Sequence, residues 1–168
     1  MKAKLVIEGR EFPIEINDPE LQKILMPKKK TGYDRVEYGA WYYYDNTGGE
    51  VDSVKEEGLC TDNESYEVAN YYSDKTVAQN NARADKLMRQ LRRFAVEHRE
   101  NELQWKINGQ NKYIIYYNYT SDDIQVYYGI NSQYLGCVYF DSQETAREAI
   151  KTFYDELIWY FTEYKDSL

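Results

Sequence analysis

Two cysteines, one histidine and three prolines in 168 residues leave this chain few of the groups that carry disulfide, metal or nucleophilic chemistry. Cys60 and Cys137 do not form the closely spaced framework that staples small secreted domains, and the first residues carry no leader pattern, so a reducing cytoplasm is the expected compartment. No apolar run nears the roughly 20 residues needed to cross a bilayer, so no membrane role is expected. There is no Gly-x-x-x-x-Gly-Lys phosphate loop, no Gly-x-Ser-x-Gly elbow and no Cys-x-x-Cys pair. His98 stands alone, with no neighbouring cysteine or serine to activate, and reads as either a capping residue or an isolated base. No enzyme activity, cofactor or metal is therefore expected. Basic charge is also short, with 21 Lys and Arg against 29 Asp and Glu for a net charge of −8, which argues against a protein whose main task is coating nucleic acid.

What the chain has in abundance is tyrosine, 19 residues against 5 phenylalanines. A phenol combines a large apolar body with a hydrogen-bonding tip, which suits half-buried strands and protein-recognition surfaces alike. The charge is segmented. Asp45, Glu50, Asp52, Glu56, Glu57, Asp62, Glu64 and Glu67 are offset by Lys55 alone, so residues 45–67 carry −7 of the net charge. Residues 73–101 are net basic, and the last 28 residues are acidic again.

Alternating apolar residues in 2–17 around Glu8-Gly9-Arg10 predict a β-hairpin, and Asp18-Pro19 predicts a capped short helix ending near Pro27. Lys28-Lys29-Lys30-Thr31-Gly32 reads as a solvated linker. A second hairpin is expected around Asp45-Asn46-Thr47-Gly48-Gly49, a third strand at 66–72, and a helix from a Ser73 cap to about His98. A further hairpin about Thr120-Ser121-Asp122-Asp123 follows, then a strand at 134–140 that takes Cys137 into the core. A helix begins at a capping box formed by Asp141 and Glu144. Sliding the chain by 68 residues lays Tyr66–Ser73 on Tyr134–Asp141, and the hairpins match at a shift of 73. The expected fold is therefore α+β: an N-terminal β-hairpin and short helix (1–30), then two tandem β-β-β-α modules (31–104 and 105–168), each with an antiparallel sheet and a long helix.

Two surfaces invite a functional reading. Eight carboxylates in 23 residues, bordered by Tyr42, Tyr43 and Tyr44, repel one another unless something positive receives them, and such a surface can imitate a nucleic-acid backbone. The same stretch reads equally as a solubilising loop, and its spacing does not follow a calcium-binding loop. Lys86, Arg89, Arg92 and Arg93 fall at helical spacing, a ridge that either touches nucleic acid or is a solvated face pairing with Asp85 and Glu97.

The succession KKTGYDRVEYGAWYYYDNTGGEVDS, then YEVANYYSDKTVAQNNARADKLMRQLRRFAVEHRE, resembles small accessory proteins of phages and prophages of Gram-positive bacteria, and QYLGCVYFDSQETAREAIKTFYDELIWYF resembles their partner module. The resemblance covers roughly residues 29–164. Some such proteins are anti-CRISPR inhibitors of type II systems, so it implies a non-enzymatic inhibitor acting in the host bacterial cytoplasm, as monomer or homodimer. The implied partner is the RNA-guided DNA nuclease, with or without guide RNA. The second expectation is direct nucleic-acid binding by the basic ridge.

Overall fold

In a computed structural model of the chain, the described residues are 2–25, 30–106, 109–129 and 131–164. The architecture is α+β, with three two-stranded antiparallel sheets and five helices among the described residues. The chain divides into two units, Met1–Thr31 and Gly32–Leu168.

The first unit begins with β1 (Lys2–Ile7) and β2 (Arg10–Glu15), paired with Leu5 opposite Phe12. Glu8 and Gly9 between them both have positive φ, the two-residue turn whose twist matches that of the strands it joins. Asp18 caps α1 (Pro19–Leu25) by accepting the N–H groups of Glu20 at 2.8 Å and Leu21 at 3.3 Å. Leu5, Ile7 and Phe12 share one face of the hairpin and stay about half exposed. The expected helix end near Pro27, and Lys28 and Lys29, lie outside the described residues.

The second unit opens at Gly32, which is no linker. It is buried, its φ is +84°, and its carbonyl accepts the Ser73 N–H at 2.7 Å. Next come β3 (Trp41–Asp45) and β4 (Val51–Lys55), joined as expected through the Asn46–Gly49 turn. Residues 66–72 are not a strand. The chain forms α2 (Cys60–Glu67), and Ala69, at φ +58°, ends that helix in the left-handed conformation, with its N–H on the Tyr66 carbonyl. Only Tyr72 then pairs with the sheet, exchanging two 2.9 Å backbone hydrogen bonds with Tyr43.

Helix α3 (Lys75–Glu97) follows, capped by Asp74 rather than Ser73, with the Asp74 carboxylate taking the Thr76 and Val77 N–H groups. Ser73 lies one residue before the cap, where its own N–H is bonded to the Gly32 carbonyl. The second half of the unit holds β5 (Lys112–Asn118), β6 (Asp123–Gly129), α4 (Gln143–Thr152) and α5 (Tyr154–Thr162). The strand expected at 134–140 is again a single pairing, Phe140 with Tyr113, through two 2.9 Å bonds. Tyr134 to Cys137 instead form a turn through the Cys137 N–H and the Tyr134 carbonyl, which leaves Cys137 exposed rather than in the core. Ser142, not Asp141, caps α4, accepting the Thr145 N–H at 3.0 Å, while Asp141 accepts the N–H groups of Glu100 and Asn101. The last helix breaks at Phe153, next to Thr152, whose hydroxyl donates to the Glu148 carbonyl within the same turn.

The core lies where the C-terminal half of α3 (Leu87, Leu91, Ala95) meets Ile124, Phe140, Ala146, Ala149 and Leu157. The N-terminal half of α3 buries Ala78 and Ala82 and packs along β3 and β4, with small residues permitting a close approach. Because one helix serves both halves, an error at its start is felt throughout. A Cβ on residue 32 would sit 2.6 Å from Val77 Cγ2, on a backbone that disfavours any side chain. Gly32→Ala is expected to destabilise by about 1–3 kcal/mol, read as a melting temperature lower by roughly 3–10 °C; an unchanged melt would contradict this packing.

Candidate interaction surface

The acidic segment 45–67 splits into an inner and an outer set. Asp62 sits at the third position of α2, 1% exposed, where its carboxylate reaches back to the N–H groups of Glu57 at 3.0 Å and Leu59 at 2.9 Å and accepts the Tyr42 hydroxyl at 2.9 Å. Burial works against its ionisation, but these three donors outweigh it and hold its pKa below the usual carboxylate value. Glu56, 4% exposed, receives Arg35 as a two-pronged pair at 3.0 Å each, the Tyr71 hydroxyl at 2.8 Å and the Gly58 N–H at 3.0 Å. The guanidinium above all holds Glu56 below its ordinary pKa. Tyr42 and Tyr71 stack with ring centroids 3.9 Å apart, and desolvation together with their carboxylate partners pushes both hydroxyls up to about 12.

Asp45 is drawn inward as well. Its backbone exchanges two hydrogen bonds with the Asn70 side chain, burial raises its pKa, and Arg89 stands 3.9 Å from its Oδ2. Asp45, Glu56, Asp62 and Tyr42 are therefore structural residues rather than the free contact groups the sequence reading made of them. Tyr43 and Tyr44 are half-buried, with Tyr43 held by the Tyr72 pairing.

The outer set is Glu50, Asp52, Glu57, Glu64 and Glu67, all exposed. At 100° per residue, Glu64 and Glu67 fall on the side of α2 opposite the inward Asp62. Asp52 is oriented by the Asn46 side-chain amide at 2.8 Å, and Asn46 Oδ1 orders the turn by accepting the N–H groups of Gly48 and Glu50. Exposed aromatics accompany these charges: Tyr38 at 81%, Trp41 at 55% and Tyr66 at 43%. Lys55 lies opposite Trp41 across the hairpin, its ammonium 5.6 Å from the indole centre. Trp41 follows from alternation with the inward Tyr42, but Tyr38 precedes the strand and Tyr66 lies in α2, where the sequence predicts a strand.

Lys86, Arg89, Arg92 and Arg93 are exposed on α3, with Arg89 near Asp45 and Arg93 3.8 Å from Glu97. His98 ends that helix, its ring stacked 3.9 Å from Phe94 and its Nδ1 3.0 Å from the Phe94 carbonyl. Among the described residues no group of three or more His, Cys, Asp or Glu side chains is placed to hold a metal ion, and no helix is long and apolar enough to cross a membrane.

Comparison with protein-family models, with curated proteins and with solved structures yields no match.

The inner carboxylates set a pH signature. Both ionise more readily in the fold than in the unfolded chain, so their contribution is fully present above the ordinary range near pH 4 and is lost as pH falls through the lower folded values. Glu56→Gln is expected to cost about 1–3 kcal/mol at pH 7. Its melting curve should converge on that of the wild type only as pH falls below the ordinary carboxylate range near pH 4 and through the lowered folded pKa of Glu56, where that carboxyl becomes neutral as well. A difference that persisted at acid pH would show that charge is not what Glu56 contributes.

Proposed function

We propose that this protein is a non-enzymatic, stoichiometric inhibitor that presents the outer face of residues 45–67 to a basic protein surface. The observation carrying this reading is the split itself: Glu50, Asp52, Glu57, Glu64 and Glu67 point to solvent from a hairpin and helix held in place by the buried carboxylates Glu56 and Asp62. Preorganised acidic groups lose little freedom on binding, and exposed Tyr38, Trp41 and Tyr66 supply the large, stiff contacts that dominate binding energy. Like charges held this close favour a partner that neutralises them, such as a channel shaped for a nucleic-acid backbone.

The resemblance to phage accessory proteins makes the partner the RNA-guided DNA nuclease of a type II system, met in the host bacterial cytoplasm. The block then falls on DNA binding or cleavage. In the same reading residues 31–104 and 105–168 are two copies of one β-β-β-α plan whose third strand has shrunk to one paired residue. The matching positions support this: Tyr72 and Phe140 each precede their helix by three residues.

A second reading, nucleic-acid binding by the α3 ridge, is favoured by Lys86 and Arg92, which have no ion-pair partner among the described residues. The two separate cleanly. Under the inhibitor reading the chain co-elutes with a type II nuclease, with or without guide RNA, and abolishes DNA cleavage. Reversal of Glu50, Asp52, Glu57, Glu64 and Glu67 to lysine removes both effects while leaving the melting temperature unchanged or higher. Glu56 and Asp62 are left out of that variant because reversing them would unfold the segment. Inhibition that survives the reversal would sink the acidic mechanism, and a salt-sensitive shift of free DNA or RNA lost in Arg92→Glu would favour the ridge.

A further inference from the structure

An apolar cavity in the second unit has no part in the surface above. About 240 Å3 in volume, it opens from the core beneath the Tyr134–Cys137 turn. Leu87, Met88 and Leu91 of α3 line one side, Ile115 of β5 and Tyr160 and Phe161 of α5 the others. None of its lining residues is charged, so it has nothing to compensate an ionised guest, which would lose its hydration on entry. An apolar cavity of about 150 Å3 already holds a benzene ring without water. One of 240 Å3 has room for a fused bicycle, and the Tyr160 hydroxyl and Cys137 thiol are the polar side-chain groups in its lining.

The mouth is edged by the Tyr134–Cys137 turn. Leu135 lies on the rim and is fully exposed, a large aliphatic side chain left in water beside an apolar cavity. Gly136 next to it has φ +79°, a conformation that no Cβ contact enforces and that the turn itself requires. The turn is held from outside the cavity, where the Tyr134 N–H donates to the Tyr139 hydroxyl and Tyr139 packs edge-on to Trp105. An apolar guest would give Leu135 a surface to cover, so that filling the cavity and closing the turn reinforce one another.

We propose that this cavity is a binding site for a small, uncharged, ring-shaped apolar molecule, admitted beneath the Tyr134–Cys137 turn with Leu135 as its lid. The two free cysteines provide an internal control, since Cys137 lines the cavity and Cys60 lies at the start of α2, both exposed.

The test is alkylation of the full chain by iodoacetamide, followed at each cysteine by mass spectrometry, with indole as the probe. At indole about four times above its Kd, Cys137 alkylation should slow roughly fivefold, saturably, while Cys60 is unaffected. Met88→Trp, which fills the cavity, should abolish the protection; if that chain does not fold, Ile115→Phe serves the same purpose. Leu135→Ala should retain saturable protection with a weaker Kd. Absence of protection in the wild type, protection of both cysteines alike, or protection that survives the filling variant would each overturn the proposal. So would protection seen in Leu135→Ala alone, since Leu135 would then be the cavity's own occupant.

Discussion

Two carboxylates taken out of water organise the first half of the second unit. An unpartnered buried charge is costly enough that a chain neutralises it or avoids it, and here neither happens because every approach to Glu56 and Asp62 carries a donor. Arg35, Tyr71 and Gly58 converge on one, Tyr42 and two backbone N–H groups on the other. These partners come from the segment before β3, from β3, from the loop into α2 and from the segment before α3. Satisfying the two charges therefore fixes the mutual placement of elements that share little apolar surface. The tyrosine pair closes the arrangement: stacked rings supply burial, and each hydroxyl ends on a different carboxylate.

The remainder of the unit is held in a more ordinary way, by aliphatic and aromatic side chains around α3. That helix changes character along its length. Alanines face the β3–β4 hairpin, where the polar network specifies position; leucines face β6, α4 and α5, where close packing does. One helix is thereby shared between two sheets that do not pair with each other.

The surface follows from this interior. Carboxylates that help to hold the fold are unavailable for contact, so the charge a partner meets is smaller than the count along the chain, but better ordered. The outer residues stand on a turn tied down by Asn46 and on a helix tied down by Asp62, opposite the face they expose. A flexible acidic loop would give diffuse attraction; this arrangement gives charge at defined positions beside exposed aromatic rings.

The three hairpins and the long amphipathic helix were legible in the sequence because they rest on local rules: turn residues able to take positive φ, alternation between, and apolar spacing of three and four. That 66–72 and 134–140 each contribute one paired residue, Tyr72 and Phe140, rather than a strand was not legible. Whether 66–72 extends depends on Asp62, met by Tyr42 from twenty positions earlier, turning the preceding residues into a helix; 134–140 is interrupted by the Tyr134–Cys137 turn, braced by Tyr139, which packs on the distant Trp105. The division of the acidic segment escaped for the same reason: eight carboxylates look alike in a string, and aspartate and glutamate are by default exposed. An aspartate two residues into a helix start was a faint local sign for Asp62, but nothing local marks Glu56 as the partner of Arg35, twenty-one positions earlier. Composition and periodicity thus determined which segments could be strand or helix, and how much charge the chain bears; which carboxylates face inward was decided by tertiary structure alone, because a charge leaves water only where donors from several segments arrive together.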